Sequence, residues 1–310
     1  MLRRERTVGN YLPFFNFGFG QTQGGGARAT MVLLIEELHS IKGYRELTLF
    51  SAVNIADHYL KRVSQRGQAA PNIITLGVSS LLLAAKTNES IGPNLKNMVY
   101  LINQKCPGQM TLTDLIAQER DILRTLDFDV HTETSITFLE RFCQLLIFDE
   151  GLCGAANGHR RQTGFAAEVC QIARNLCRQS LHRAEFLQVR PSQVGAACLL
   201  LAINSLSQQN GYQLGSFEPF TADMTMSDEG SSLQAEIAAA ASDCVLAKWT
   251  DKISQLTGLT RVRDIKPAYT ALLHSLAEQG MAAGIITTSS SLAKLMPSCG
   301  QNDDSCCGMK

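Results

Sequence analysis

The sequence lacks an excess of charge of either sign and lacks any long apolar run. Its 28 Lys and Arg residues balance 28 Asp and Glu residues, so the overall charge does not predict binding to nucleic acid or to an anionic membrane. No apolar stretch reaches the roughly 18 residues that a membrane-spanning helix needs. The opening MLRRERTVGN is followed by a segment that Pro, Asn and Gly interrupt, unlike a signal peptide. We therefore expect a soluble intracellular protein.

Motifs for metal binding and catalysis are also missing. Ten cysteines occur in the 310 residues, but no CxxC pair does, which argues against a zinc ribbon or a thioredoxin-type centre. The six histidines form no HExxH or nucleophile motif. Five cysteines lie in helical patterns, where free cysteine behaves as a small buried apolar residue; these are Cys143, Cys170, Cys177, Cys198 and Cys244. We expect reduced thiols, no metal, no cofactor and no catalytic residue.

What the sequence does contain is apolar residues at α-helical spacing. In the first half this spacing predicts five helices, at 27–42, 46–65, 71–88, 93–101 and 111–127. Pro71 and Pro93 stand at predicted helix starts, where a missing N–H costs nothing, and Thr111 can cap the fifth helix. The apolar series of the fifth helix is Leu112, Leu115, Ile116, Ile122, Leu123 and Leu126.

The second half continues with helical patterns. After a break at 129–134, a new apolar series begins at Phe138. Loops are predicted at 151–162 and, as an insertion, at 210–232. Further helices are expected at 163–187, from Pro191 to 209, at 233–257 and at 262–279. The predicted fold class is all-α.

An internal repeat relates the two halves. The segment Gly77-Val-Ser-Ser-Leu-Leu-Leu-Ala-Ala-Lys86 aligns without gaps with Gly195-Ala-Ala-Cys-Leu-Leu-Leu-Ala-Ile-Asn204. Each copy lies in the third helix of its half. No side of this helix is polar enough to face water, so it should be buried all round. The repeat predicts two five-helix units. Lys86 is replaced by Asn204, so its charge is not part of the shared packing.

Four segments of the first unit resemble cyclins of the mitotic A/B type. Ala27–Met31 stands where that family has Met-Arg-Ala-Ile-Leu, and Asn54–Leu60 stands where it has Asn-Tyr-Ile-Asp-Arg-Phe-Leu. Leu82–Glu89 resembles the family's Leu-Leu-Ala-Ser-Lys-Phe-Glu-Glu. Gln118–Val130 resembles a Met-Glu that is followed by Leu-x-x-Leu-x-Phe-Asp-Leu. The four occur in the family's order and spacing.

The resemblance implies two tandem five-helix cyclin boxes. We expect a flexible segment at 1–26, an N-terminal box at 27–131, a C-terminal box at 132–280 with the insertion near 210–232, and a disordered tail at 281–310. It also implies a non-catalytic regulatory subunit that binds and activates a cyclin-dependent protein kinase in cell-cycle control, in the nucleus and cytoplasm.

The family's kinase-binding residues match Lys86, Glu119, Leu123, Phe128 and Val130. Burial of the charge of a Lys at the end of a buried helix, or of a Glu within an amphipathic helix, costs free energy unless the charge is paired or binds a partner. The alternative is an internal salt bridge that only stabilises the first box, with the apolar residues as ordinary core. Relatives carry an aromatic residue and a Glu where this sequence has Thr87 and Asn88.

Two further sets of residues match the family. Arg28 and Asp57 correspond to an ion pair between the first two helices; the alternative is two exposed charges worth about 0–1 kcal/mol. A groove that docks kinase substrates or inhibitors corresponds to Ala27 and Thr30 together with Met31, Leu34, Glu37, Ile73 and Ile74. Leu34 replaces the usual Trp and Ile74 a Gln, so we expect the groove to be apolar but altered at the positions that would bind an Arg-x-Leu peptide.

Three other functions compete with kinase activation. A general transcription factor of the same fold should carry a zinc ribbon and a basic face, which this sequence lacks. A helical enzyme should carry a catalytic motif, and we find none. A cyclin-fold scaffold or transcription-associated cyclin-like protein that does not activate a kinase stays open because of Thr87, Leu34 and Ile74.

Overall fold

The computed structural model describes residues 7–8, 26–69, 71–105, 110–148, 159–209, 253–255, 257–259 and 264–278. In these ranges the backbone is helical or irregular, without a β-strand. The helices are α1 (Ala27–Lys42), α2 (Glu46–Gln65), α3 (Ile73–Asn88), α4 (Leu95–Lys105), α5 (Leu112–Thr125), α6 (Ser135–Phe148), α7 (His159–Ser180), α8 (Pro191–Gln209) and α9 (Lys266–Glu278), with a short 3₁₀ helix (Ala184–Gln188) between α7 and α8. None of the described helices is long and apolar enough to cross a bilayer.

Asparagine, rather than proline, begins α3 and α4. The Asn72 side chain accepts hydrogen bonds from the backbone N–H groups of Ile74 and Thr75, at 2.9 and 3.2 Å. Asn94 in the same way accepts one from Asn97. The prediction that Pro71 and Pro93 occupy the first helical positions is therefore wrong. The side-chain oxygen of Asn satisfies N–H groups that the first turn of a helix leaves unpaired, and each proline lies just outside the helix.

The predicted cap of α5 is confirmed. The Thr111 hydroxyl accepts from the backbone N–H of Asp114, and the Asp114 carboxylate accepts from the backbone N–H of Thr111 at 3.0 Å. This reciprocal arrangement is a capping box. It fixes the start of the helix that carries Glu119 and Leu123.

Helix α7 ends at Ser180, so the predicted continuation to residue 187 is wrong. The carbonyl oxygen of Leu181, just beyond the helix, accepts a hydrogen bond from Arg28 Nη1 at 2.7 Å. A continued helix would engage that carbonyl with a later backbone N–H. Phe186 and Leu187 are still buried, on the 3₁₀ helix that follows. At this helix end the backbone turns through i→i−3 hydrogen bonds, and the contact with Arg28, which no local pattern predicts, binds the carbonyl of Leu181.

The helices form two units, α1–α5 and α6–α9, each built around the helix that carries the repeat. In the first unit α3 packs on α1, α2 and α5, and all residues from Leu76 to Ala85 are buried. In the second unit α8 packs on α6, α7 and α9, and residues 194–203 are buried. The predicted all-α architecture of two units is confirmed.

Glycine at the start of each repeat permits close helix packing. A Cβ atom at Gly77 would lie 3.2 Å from Met31 Cγ on α1. A Cβ atom at Gly195 would lie 3.0 Å from the Ser135 carbonyl oxygen and 3.1 Å from the Leu139 nitrogen, both in the backbone of α6. Each glycine therefore stands where the central helix crosses the first helix of its unit.

The two units are joined by side chains of α1. Glu36 Oε1 accepts from Arg178 Nε, and Glu36 Oε2 contacts His182 Nε2, both at 2.9 Å. Burial by itself raises the pKa of Glu36, but hydrogen bonds and charge from His182 and Arg178 outweigh it and hold that pKa below its usual value. The sequence did not single out these three residues, because no local spacing links positions more than 140 residues apart.

The described cysteines lie in the second unit as free, buried thiols: Cys143, Cys170, Cys177 and Cys198. A hydrogen bond with Cys170, together with burial, raises the pKa of Cys143. Other predictions fall outside the described residues: Cys244, most of segment 1–26, residues 151–158 of the predicted loop, the insertion at 210–232, most of the helix at 233–257, and the tail at 281–310.

Candidate functional site

Lys86 and Glu119 form an ion pair at the surface of the first unit. Lys86 lies in the last turn of α3, where the buried apolar run ends, and its amine donates to Glu119 Oε1 on α5. The Lys86 side chain is 39% exposed and that of Glu119 is 15% exposed. The two side chains bind each other within this chain, as an internal salt bridge requires. The Lys86 side chain is also accessible to solvent.

Contacts with its neighbours fix the position of α5. The Ser79 hydroxyl of α3 contacts the Leu115 carbonyl oxygen at 3.5 Å. The Tyr59 hydroxyl of α2 donates to the Asp121 carboxylate. Burial, with that hydrogen bond, raises the pKa of Tyr59 to about 12, so the hydroxyl stays protonated and continues to donate at physiological pH. Helix α5 is thus held against both α2 and α3.

The apolar residues predicted with this pair follow Glu119 along the chain. Leu123 and Val130 are half-buried against the core, whereas Phe128 is 71% exposed. The backbone N–H of Phe128 donates to the Leu123 carbonyl at 2.8 Å, and that of Val130 to the Phe128 carbonyl at 3.1 Å. Glu119 and Leu123 therefore lie on α5, one turn apart, and Phe128 and Val130 lie in the hydrogen-bonded turn that follows the helix.

A strained turn presents Phe128. The backbone N–H of Asp127 donates to the Arg124 carbonyl at 3.3 Å, which with the bond from Phe128 to Leu123 makes a Schellman motif at the end of α5. Asp127 and Phe128 have φ of 53° and 61°. The left-handed region costs a non-glycine residue about 1–2 kcal/mol, and strain of this kind clusters at functional sites. The exposed ring at this strained position is a candidate contact residue.

Thr87 and Asn88, the two residues that depart from the family pattern beside Lys86, form hydrogen bonds within the first unit. The Thr87 hydroxyl donates to the Ala84 carbonyl of its own helix at 2.9 Å. Asn88 is buried, and its side-chain amide donates to the Ser51 hydroxyl of α2 at 3.0 Å. Asn88 therefore joins α3 to α2 and contributes nothing to the exposed surface.

Arg28 and Asp57 form a two-point ion pair between α1 and α2. Arg28 Nε donates to Asp57 Oδ1 at 3.0 Å and Nη2 donates to Oδ2 at 2.8 Å. The side chains are only 6% and 4% exposed, so the alternative of two exposed charges is wrong. Because Arg28 also binds the Leu181 carbonyl, the pair joins α1 both to α2 and to the second unit.

The residues predicted to form a docking groove differ in exposure. Met31 is 1% exposed and packs near Gly77, so it presents no surface to a docked peptide. Leu34, Ile73 and Ile74 are half-buried and pack against the core, and Glu37 is exposed. Ala27 is half-buried and Thr30 is exposed, so Met31 is the one predicted groove residue without exposed surface.

The apolar positions of α5 are not all core. Leu115 and Ile122 are fully buried, as expected of an amphipathic helix, but Leu112 is 37% exposed and Ile116 is 41% exposed. Sequence reasoning placed all of them in one apolar series and did not separate the outward pair. A helical projection would have placed Leu112 and Ile116 on the same face as Glu119, because residues three and four positions apart share a face of a helix.

Comparison with known proteins identifies the family. The family described as "Cyclin, N-terminal domain" matches residues 4–131 and "Cyclin, C-terminal domain" matches residues 134–225. The chain is 29% identical over 204 residues to G2/mitotic-specific cyclin-B3 of Gallus gallus, covering 64% of this chain and 43% of that one. It is 30% identical over 194 residues to G2/mitotic-specific cyclin-A of Spisula solidissima, covering 59% and 40%.

Among solved structures, a viral cyclin from herpesvirus saimiri aligns with a TM-score of 0.46 at 16% identity, covering 81% of this chain and 87% of that chain. The chain spans less than half the length of the two mitotic cyclins above. The two matched domains together cover well over half of the 310 residues, and the chain therefore belongs to the cyclin family.

Proposed function

We propose that this chain is a non-catalytic regulatory subunit that binds and activates a cyclin-dependent protein kinase in cell-cycle control. The observation that carries the proposal is the Lys86–Glu119 pair at the surface of the first unit, followed along the chain by the exposed Phe128 in the turn after α5. Membership of the cyclin family and similarity to G2/mitotic-specific cyclins support it. An action in both nucleus and cytoplasm is part of the proposal, and imaging of the tagged chain tests it.

Activation requires this chain to bind and orient part of the kinase. A protein kinase is active when its C-helix Glu pairs with the β3 Lys and its metal-binding Asp is in place. A rigid surface that binds the C-helix in that position shifts the kinase toward its active state. The Lys86 amine and the Glu119 carboxylate supply a donor and an acceptor for polar groups at the start of that helix, and Leu123, Phe128 and Val130 supply apolar contacts.

If Lys86 and Glu119 formed only an internal salt bridge that stabilises the first box, their loss would lower the stability of the fold and leave kinase binding unchanged. Ion pairs with one exposed member contribute about 0–1 kcal/mol to stability, so loss of this pair should hardly affect folding. Its loss should instead weaken kinase binding strongly, because the variant would lose the charge-assisted hydrogen bonds that the two groups are proposed to make with the kinase.

The test uses purified Lys86→Ala/Glu119→Ala and a panel of monomeric cyclin-dependent kinases. We expect the parent chain to bind at least one kinase by isothermal titration and to stimulate phosphorylation of a histone substrate, and the double variant to lose both. Arg45→Ala is the matched control, since it removes another surface ion pair, with Glu89. Full binding and activation by the double variant would refute the assignment of the site.

A scaffold role is the second candidate, favoured by the small Thr87 side chain whose hydroxyl binds its own helix. The same titration separates the two functions. A scaffold binds a kinase without raising its activity, whereas an activator does both.

A further inference from the structure

A cluster of four thiols lies in the core of the second unit. Cys143 stands on α6, Cys170 and Cys177 stand on α7, and Cys198 stands on α8; all four are free and buried. Cys170 and Cys177 are seven positions apart, so they lie on the same face of α7. Helix α7 packs on both α6 and α8, and the thiols of this face meet one thiol on each neighbouring helix.

The four thiols form two pairs. Cys143 is hydrogen-bonded to Cys170 across the contact of α6 with α7. Cys177 is hydrogen-bonded to Cys198 across the contact of α7 with α8, and its Sγ also donates to the Ser135 hydroxyl at 3.3 Å. Within the described residues, no three His, Cys, Asp or Glu side chains are grouped so that they could hold a metal ion. The arrangement therefore offers the chemistry of thiol pairs rather than chelation.

Arg174 distinguishes the first pair from the second. It lies one turn after Cys170 on α7 and is half-buried. The hydrogen bond with Cys143 and the charge of Arg174 outweigh burial and lower the pKa of Cys170. Burial instead raises the pKa of Cys198. Because the thiolate is the nucleophile, the pair that joins α6 to α7 contains the more reactive sulfur.

We infer that Cys143 and Cys170 are a dithiol that a hydroperoxide oxidises to a disulfide, which cross-links α6 to α7. The Cys170 thiolate attacks the peroxide: an S–O bond forms, the O–O bond breaks, and the hydroxide that leaves takes up the proton that the thiol had released. The Cys143 sulfur then attacks Cys170 while its own proton passes to the departing oxygen, so that an S–S bond replaces the S–O bond. The two thiols lose two electrons, and hydrogen peroxide becomes two molecules of water.

Burial limits which reagents reach this pair. Cys143 and Cys170 are 2% and 1% exposed, and buried groups react through local openings of the fold. Hydrogen peroxide is little larger than water, whereas the alkylating reagent N-ethylmaleimide needs a wider opening. We expect peroxide to form the disulfide under conditions in which N-ethylmaleimide leaves both thiols of the folded chain unmodified.

The test treats the folded chain with hydrogen peroxide, blocks the remaining thiols with N-ethylmaleimide in denaturant, and maps tryptic peptides by mass spectrometry. The expected product joins peptides 142–160 and 162–174, is lighter than the two reduced peptides by two hydrogen atoms, and disappears with dithiothreitol. Cys153 lies in the same peptide as Cys143, so Cys153→Ser is the matched control and should keep the cross-link. Cys143→Ala and Cys170→Ala should each lose it.

The two alanine variants also test the order of the steps. In Cys143→Ala the oxidised Cys170 has no thiol partner and should go on to the sulfinic acid, whereas Cys143 should remain a thiol in Cys170→Ala. The reverse pattern would overturn the inference, as would recovery of Cys143 and Cys170 as thiols from the treated parent. Should a variant fail to fold, fragmentation of the joined peptides from the parent decides, since it places the bond at Cys143 or at Cys153.

Stability gives a second measurement. The two cysteines are 27 positions apart, and a disulfide that closes such a loop restricts the unfolded chain, so the oxidised parent should melt roughly 5 °C or more above the reduced parent. Cys153→Ser should show the same shift, and Cys170→Ala should show none. No kinase is present in these experiments, so their outcome is independent of the proposed function.

Discussion

Alanine at the two repeat glycines should have opposite consequences in the two units. Gly77 and Gly195 each occupy the fifth position of their helix, α3 and α8. Their nearest neighbours differ in kind. A Cβ at Gly77 meets the flexible Met31 side chain at 3.2 Å, whereas a Cβ at Gly195 meets backbone atoms of α6 at 3.0 and 3.1 Å. A side chain can rotate away, but the backbone of a packed helix cannot move without its neighbours.

The difference between the two variants isolates this steric effect. Alanine is a better helix former than glycine by about 1 kcal/mol, and this gain is common to both substitutions. Overpacking of a well-packed interface costs about 1–3 kcal/mol. We expect Gly77→Ala to be neutral or up to about 1 kcal/mol stabilising, since Met31 adjusts. Gly195→Ala should be less stable than Gly77→Ala by about 1–3 kcal/mol.

The assay combines urea unfolding with hydrogen exchange. Unfolding followed by circular dichroism gives the free energy of each variant, and a loss of 1 kcal/mol lowers Tm by about 2–4 °C in a chain of this size class. Hydrogen exchange locates the loss: Gly195→Ala should speed exchange in α6 and α8 and leave α1 and α3 unchanged. Equal losses in the two variants, or a gain in Gly195→Ala, would show that backbone proximity does not limit packing at this crossing.

Two further predictions concern ion pairs of α1. Arg28→Lys keeps the charge but loses the two-point contact with Asp57, so urea unfolding should show a loss of about 2–4 kcal/mol; an unchanged midpoint would contradict a structural role. Although burial raises the pKa of Glu36, its partners His182 and Arg178 hold it below 4.5. The carboxylate therefore stabilises the protein fully above pH 4.5, and this contribution is lost as pH falls through the folded pKa. Glu36→Gln should be less stable than the parent at neutral pH, with a difference that shrinks below pH 4.5; a constant difference would contradict the linkage.

The sequence predicted helices well where local chemistry decides them. Helices α1 and α2 have the predicted bounds, 27–42 and 46–65, because apolar spacing and the αL residue Gly43 both mark the end of α1. The starts of α3 and α4 were missed by two residues, since two local rules competed and Asn capping outweighed proline placement. The end of α7 was missed by seven residues, since Phe186 and Leu187 continue the apolar series on a separate 3₁₀ helix.

The candidate site was predicted through resemblance more than through pattern. No spacing rule pairs Lys86 with Glu119, since they lie on different helices 33 residues apart, and only the family pattern linked them. The Glu36 contacts had no such pattern and were missed. Leu112 and Ile116 were assigned to the apolar series of α5, but their exposure to solvent was not predicted. Periodicity identifies the apolar face of a helix, but it does not show which residues of that face the neighbouring helices cover.

The two copies of the repeat give a reason to place the proposed partner surface on the first unit. In the second unit Asn204, at the position of Lys86, donates to the Tyr269 hydroxyl of α9 at 3.1 Å, and Tyr269 is buried. The end of α8 is thus satisfied within its own unit. At the end of α3 the Lys86 amine is also paired within its unit, with Glu119 of α5, but the Lys86 side chain remains 39% exposed. A cation in the last turn of a helix gains about 0.3–1 kcal/mol from the helix dipole, and its ion pair adds little more. The central helix is buried in both copies and stability gains little from the charge, so binding of a partner, as proposed above, is the role that best explains Lys86.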